Sequence, residues 1–260
     1  MSSSSERMPC AFLGHGTPMN VIMDNVWTRT WQNLGHQLPR PRAILAVSAH
    51  WCTRGIGVTA MDSPPTIHDF GGFPKQMYEL SYPAPGDPML ASRVCELLDP
   101  LPVVPDRSWG LDHGTWSILC KAYPAADIPV VQLSLDMTRP PKFHFEIGAR
   151  LAPLRDEGVL ILGTGNVVHN LMLFDRGADF AYDWAQQFND YIRESLLTHR
   201  FDALVDYQSL GDAAALSVPT PEHYYPLLYA AGAAEQDPVA IAVDGVTSGA
   251  MSMLSVTFGL

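Results

Sequence analysis

The stretch AILAVSAHW, Ala43 to Trp51, decides how this chain folds. Ile44, Leu45, Ala46 and Val47 make a short apolar run shortly after Pro41. Such a run is expected of a strand buried on both faces of a parallel sheet. It runs out in Ser48, Ala49 and His50. In open α/β sheets ligands bind outside the carboxyl ends of the strands, so a histidine delivered there is a candidate site residue.

Working outward, the same pattern recurs. Cys10 to Leu13 reads as a strand that breaks at Gly14 into a loop carrying His15, and Pro18 can open the next element. Gly158 to Leu162 reads as another, breaking into GTGNVVHN with His169, and Val130 to Leu135 as a further buried strand. Helical spacing is predicted over Asn20–Leu38, Asp87–Leu98, a segment starting near His113, Lys142–Leu154 and Ala178–His199. In the last of these Phe180, Trp184, Phe188, Tyr191, Ile192 and Leu196 share a face. Val239–Val243 and Met251–Phe258 read as a hairpin. The expectation is an α/β fold: a single domain over residues 8–260, with a central mostly parallel sheet flanked by helices and an antiparallel C-terminal hairpin at one edge. Residues 1–7, MSSSSER, read as a disordered polar tail without the apolar core of a signal peptide.

Composition narrows the function. With 47% hydrophobic and 17% charged residues, 260 residues can bury a sizeable core. A formal net charge of −11 and the lack of a basic run argue against nucleic acid as a partner. No apolar stretch approaches the roughly 18 residues that a membrane span needs. Cys10, Cys52, Cys95 and Cys120 are widely spaced without a CxxC pair, which suits a reducing cytoplasm. From Trp51 onward a long proline-rich segment contains IHDFGGFP, Ile67 to Pro74, and its aromatic residues favour a packed lid.

Chemistry points to the histidines. A single histidine of this kind is more often a hydrogen-bonded core or loop residue, but His15, His50 and His169 are placed alike, each after a short apolar strand. Neutral imidazoles converging from distant segments suit a metal. For His113, Asp112 is either an orienting carboxylate or simply the helix N-cap. For His223, either it or Glu222 is a candidate ligand, or Glu222 is a first-turn acid. Cys52 is near His50, although a lone cysteine at a strand edge is usually inert. His36, His68, His144 and His199 read as structural or surface residues. The chain lacks a GxSxG elbow, a full dinucleotide fingerprint and a P-loop lysine.

Five motifs, HGTPM at His15, SAHW at Ser48, DHGTW at Asp112, GTGNVVHNL at Gly163 and PTPEHYYPLLY at Pro219, together resemble the class III extradiol ring-cleavage dioxygenases of LigB type. The nearest branch is the single-chain 4,5-DOPA-dioxygenase-like proteins. The resemblance spans nearly the whole chain. It implies a single catalytic domain with one mononuclear divalent metal, Fe(II) for activity and Zn(II) as an alternative bound species. His15, His50 and His223 would be ligands, with Glu222 as the alternative to His223 and His169 as a further ligand within reach. His169 would be the acid/base and His113 a second imidazole facing substrate or oxygen. Phe70, Phe73 and Tyr225 would contact substrate. The partners implied are a small aromatic diol and O2, with a homo-oligomer left open. Two competing readings are a non-catalytic binding protein on the same fold and a zinc-dependent hydrolase.

Overall fold

In the computed structural model residues 7–260 are described. Of the tail expected over residues 1–7, only Arg7 falls among them. It is exposed and lies 3.4 Å from Asp156.

Eight strands form the central sheet: β1 (Cys10–Gly14), β2 (Ala43–Thr53), β3 (Ile56–Thr59), β4 (Val103–Asp106), β5 (Val130–Asp136), β6 (Val159–Gly165), β7 (Val239–Val243) and, after a small two-stranded ribbon of β8 (Val246–Thr247) and β9 (Met251–Ser252), β10 (Ser255–Phe258). Their order is β4-β3-β5-β2-β6-β1-β10-β7. β5, β2, β6 and β1 run parallel at the centre, and β10 and β7 add antiparallel pairs at one margin. The apolar run in β2 divides between two cores. Leu45 and Val47 pack on one face of the sheet and Ile44 and Ala46 on the other. This double burial is why the run is continuous and not alternating.

Helices cover both faces. α1 (Val26–Gln37) and α3 (His113–Ala122) supply Trp31, Leu34, Trp116 and Leu119 to the Ile44 side. The Leu45 side takes α2 (Pro88–Leu98), α4 (Pro141–Leu151), α5 (Pro153–Asp156), α6 (Asp183–Leu197) and α7 (Phe201–Val205). There too lie α8 (Asp212–Ser217) and α9 (Tyr225–Ala233). The α4–α9 crossing is very close: a Cβ on Gly148 would lie 2.2 Å from the Tyr229 carbonyl oxygen.

Several sequence expectations change. β3 and β4 were not expected; they are four residues each, and β4 is an edge strand that tolerates Pro105. β3 meets β5 antiparallel, so the sheet departs from parallel at both margins. The helix expected over Asn20–Leu38 is two elements: a 3-10 turn at Pro18–Ile22, then α1, which starts at Val26 under a reciprocal Asn25–Thr28 capping box. α6 begins only at Asp183, so Phe180 lies outside it and is 52% exposed. Met251–Phe258 is not one strand, because Met251 and Ser252 pair with β8. β2 does not end at His50 but continues to Thr53 through a bulge, in which Ser48 to Trp51 lie opposite the single residue Ser134 of β5.

A methyl at Gly148 meets backbone that cannot rotate away. Gly148→Ala is therefore expected to lower unfolding free energy by about 1–3 kcal/mol. Gly71→Ala, where an added Cβ meets nothing within 4 Å, serves as the control in urea denaturation.

Candidate metal centre

Five histidines meet at the carboxyl ends of the central strands. His15 leaves β1, and its N–H donates to the Gly165 carbonyl at 3.0 Å, tying it to the end of β6. His50 sits in the β2 bulge, after pairing with β6 has stopped at Ser48. His223 ends a 3-10 turn, Pro221–His223, whose carbonyl accepts from Asn166 N–H at 2.9 Å. A Cβ at Gly165 would lie 2.1 Å from that same carbonyl, so only glycine lets the turn approach the sheet this closely. His169 follows β6, and its N–H donates to the Ser217 carbonyl. His113 is the first residue of α3.

The nitrogens of His15, His50 and His223 lie within 4.8 Å of one another. His50 Nε2 and His15 Nε2 are 3.2 Å apart. Nitrogens bound to one ion at about 2.1 Å and roughly 90–110° apart would be separated by about 3.0–3.4 Å, so this spacing fits a shared metal. Two carboxylates stand behind the ring. Glu222 Oε1 accepts from His223 Nδ1 at 3.1 Å. Asp69 Oδ2 lies 3.4 Å from His50 Nδ1 and accepts from His113 Nδ1 at 2.9 Å. With Nδ1 protonated toward its carboxylate, the His223 or His113 ring presents the Nε2 lone pair on its other side. His15 Nδ1 is buried without a hydrogen-bond partner.

The surroundings keep these imidazoles neutral. Burial, then the neighbouring His50 imidazole, holds His15 well below the usual histidine range. Burial and His113 push His50 down to about 3, with Asp69 acting in the opposite sense. Burial and His169 hold His223 well below its ordinary value. His169 is pushed down to about 4, chiefly by burial. All four are neutral donors at pH 7.

Of the two candidate last ligands, His223 joins His15 and His50, while Glu222 groups with His169 and His223. His169 stacks on His223 with ring centroids 3.5 Å apart and does not belong to the His15–His50–His223 group. Asp112 is the N-cap of α3, accepting from Thr115 N–H, and it also accepts from Ser48 Oγ at 2.7 Å. The carboxylate on the His113 ring is Asp69, which the sequence reading missed. Its signal was modest: one acid in the aromatic loop, 44 residues from its partner. Burial pushes the Asp69 carboxyl up, but hydrogen bonds from the His113 ring and backbone, with the electrostatic influence of the His113 and His50 rings, leave it lowered.

His15, His50, His113, His169 and His223 line a cavity of about 1040 Å³ together with Phe70 and Phe73. Phe70 packs edge-on to His113 at 5.5 Å and to Phe73 at 5.3 Å. The aromatic loop is pinned, Trp116 Nε1 donating to the Ile67 carbonyl at 2.8 Å. Tyr225 is not on this wall. It is buried and stacks on His144 at 4.0 Å, because α9 turns that face toward α4. Cys52 is exposed and outside the histidine groups. Among the described residues no helix is long and apolar enough to cross a membrane.

Comparison with known proteins agrees with this geometry. The family described as the catalytic LigB subunit of aromatic ring-opening dioxygenase matches residues 9–259. A 4,5-DOPA dioxygenase extradiol of Escherichia coli K12 is 55% identical, covering 98% of this chain and 96% of its own. Its namesake in Beta vulgaris is 38% identical, covering 91% of each. The crystal structure of an uncharacterized Escherichia coli K12 protein superposes with a TM-score of 0.86 at 50% identity, over 97% of this chain and 100% of that one. The chain belongs to the LigB family, the class III extradiol aromatic ring-opening dioxygenases.

Proposed function

We propose that this chain opens the ring of a small catechol, DOPA-like or closely related, with O2, using one divalent iron held by His15, His50 and His223. The observation that carries the reading is the convergence of those three imidazoles, from β1, β2 and the turn before α9, on a cavity that Phe70 and Phe73 also line. Relatives named for 4,5-DOPA support the substrate class. Iron held by these three residues would supply the electron transfer between catechol and O2 that redox-inert zinc would not.

The chain's own groups then have separable tasks. His169 is neutral at pH 7, so its ring takes a catechol proton as substrate binds, and the negative charge gained nearby raises its basicity. It returns that proton as the ring opens. His113, its Nδ1 engaged by Asp69, keeps Nε2 for the substrate side. Phe70 and Phe73 flank the ring and exclude water. Four free cysteines are consistent with a reducing cytoplasm.

Anaerobic loading with Fe(II), followed by O2 and a panel of catechols, is expected to give a coloured ring-opened product; none from any catechol with iron bound would overturn the reading. His15→Ala, His50→Ala and His223→Ala are expected to abolish metal retention, measured as metal content of the purified protein. His169→Ala keeps the metal and loses about 10²–10⁴-fold in turnover. Asp69→Asn is expected to weaken metal binding about 10–100-fold in a chelator competition, because the negative charge 3.4 Å from His50 Nδ1 is lost.

Acid sensitivity follows from the same neutrality. His50, His169 and the buried His144, pushed down to about 4 mainly by desolvation, have folded values below the unfolded one. The unfolded chain therefore binds more protons below about pH 6.5, and stability present above that pH is lost as pH falls toward 4 and 3. Each such histidine steepens the loss by at most about 1.4 kcal/mol per pH unit. Urea midpoints of the metal-free protein at pH 7.5 and 5.5 check this, with the lower midpoint expected at pH 5.5.

A further inference from the structure

The catechol end of the cavity accounts for the histidines but not for Arg176, the only formally charged residue among those that line it. Of the other arginines, seven pair with Asp or Glu, and Arg54, Arg107, Arg139, Arg150 and Arg200, which have no such partner among the described residues, do not line the cavity. Arg176 has no carboxylate within ion-pairing distance among the described residues, although Asp175 is its neighbour in the chain. The Asp175 carboxylate is engaged elsewhere, accepting from Gly177 N–H at 2.9 Å.

The segment that carries Arg176 is held in place. Asp175 N–H donates to the Ser248 carbonyl at 3.0 Å, and Tyr182 N–H donates to the Gly249 carbonyl at 3.0 Å. Gly249 N–H returns a bond to the Phe180 carbonyl at 3.1 Å. Ser248 also lines the cavity, with φ at 52°, in the left-handed region that residues other than glycine seldom adopt. Other parts of the same wall, Met19, Met23, Leu171 and Phe174, are apolar. The cavity wall thus combines the histidines with one guanidinium, carried on a loop that is bonded to the backbone of Ser248, itself a lining residue.

We propose that Arg176 is a specificity-determining residue that pairs with a carboxylate on the side chain of the catechol, so that this chain selects catechols with an anionic side chain over those with a neutral or cationic one. The assignment of the ring to the histidine end rests on the ring-cleavage reading above. A guanidinium presents a planar fork of donors matched to a carboxylate. In a chain of net charge −11, an isolated cation in the cavity wall also offsets the repulsion that an acidic substrate would otherwise meet.

The test is equilibrium binding to the iron-loaded enzyme without oxygen, by calorimetry, with three probes that share the ring: 3-(3,4-dihydroxyphenyl)propionate, 4-ethylcatechol and dopamine. The carboxylate is expected to bind about tenfold more tightly than 4-ethylcatechol, a partly solvated ion pair being worth that much at most. In Arg176→Met the ratio of the two constants collapses toward one, in Arg176→Lys part of it survives, and in Arg176→Glu dopamine becomes the preferred probe. An unchanged ratio in Arg176→Met, or wild-type binding that does not favour the carboxylate, overturns the proposal, as does failure of all three probes to bind. If the probes bind with the expected ratios but none is opened when oxygen is admitted, the dioxygenase reading falls while the role of Arg176 stands.

Discussion

Everything at this centre depends on keeping several imidazoles neutral and correctly tautomerised within a few ångströms of one another. Burial supplies most of the neutrality, since a protonated His15 or His223 would lose its water and face the neighbouring imidazoles. Carboxylates stand behind three of the rings. Glu222 bonds His223 from the adjacent position in the chain, whereas Asp69 bonds His113 from a separate loop and lies 3.4 Å from His50 Nδ1. The acids therefore act from behind the donors, and the donors themselves carry no formal charge. A divalent cation held by such neutral donors would keep most of its charge.

The sheet makes this arrangement possible because its central strands are parallel. Parallel strands all end on one side, so short loops after β1 and β6 and the bulge in β2 deliver their histidines to one place. The first turn of α3 reaches the same place from the helical layer, and Asp69 accepts from the His113 backbone N–H at 2.8 Å as well as from its ring. An anion at that position is favoured by the helix N-terminus in addition to the imidazole. The aromatic loop is thus fastened at its middle by a charged hydrogen bond and near its start by Trp116. Phe70 and Phe73 inherit their places on the cavity wall from those attachments.

How much could be read from residues alone depends on how local each signal is. The strands at Cys10, Ala43, Val130 and Val159 announced themselves because burial on both faces demands unbroken apolar runs, and His15, His50 and His169 were found because they come directly after such runs. β3 and β4 were missed because they are short, and β4 lies half-exposed at the edge with a proline inside. Asn25 escaped notice as a cap because the apolar spacing continues across it from Val21 to Leu34. Asp69 and Arg176 belong to loops without period, and their partners or surroundings come from segments far away in sequence. Tyr225 departs from its expected place for a related reason: it follows His223 by two residues, but its helix turns that ring toward His144. Of the alternatives weighed at Asp112, the N-cap is what the backbone uses, and the orienting carboxylate comes from elsewhere.

The bulge in β2 sets a constraint on chain length. Four residues, Ser48 to Trp51, stand opposite one, so that His50 leaves the sheet toward the cavity while Cys52 and Thr53 recover pairing with β5. Because side chains alternate faces along a strand, inserting or deleting one residue in this interval would reverse either His50 or everything after it. Thr53–Ile56, the tight connection to β3 a few residues on, carries no such phase requirement for the metal centre. Within a dozen residues the chain thus passes from a segment whose length is set by where His50 must face to one whose length is set only by the cost of closing a turn.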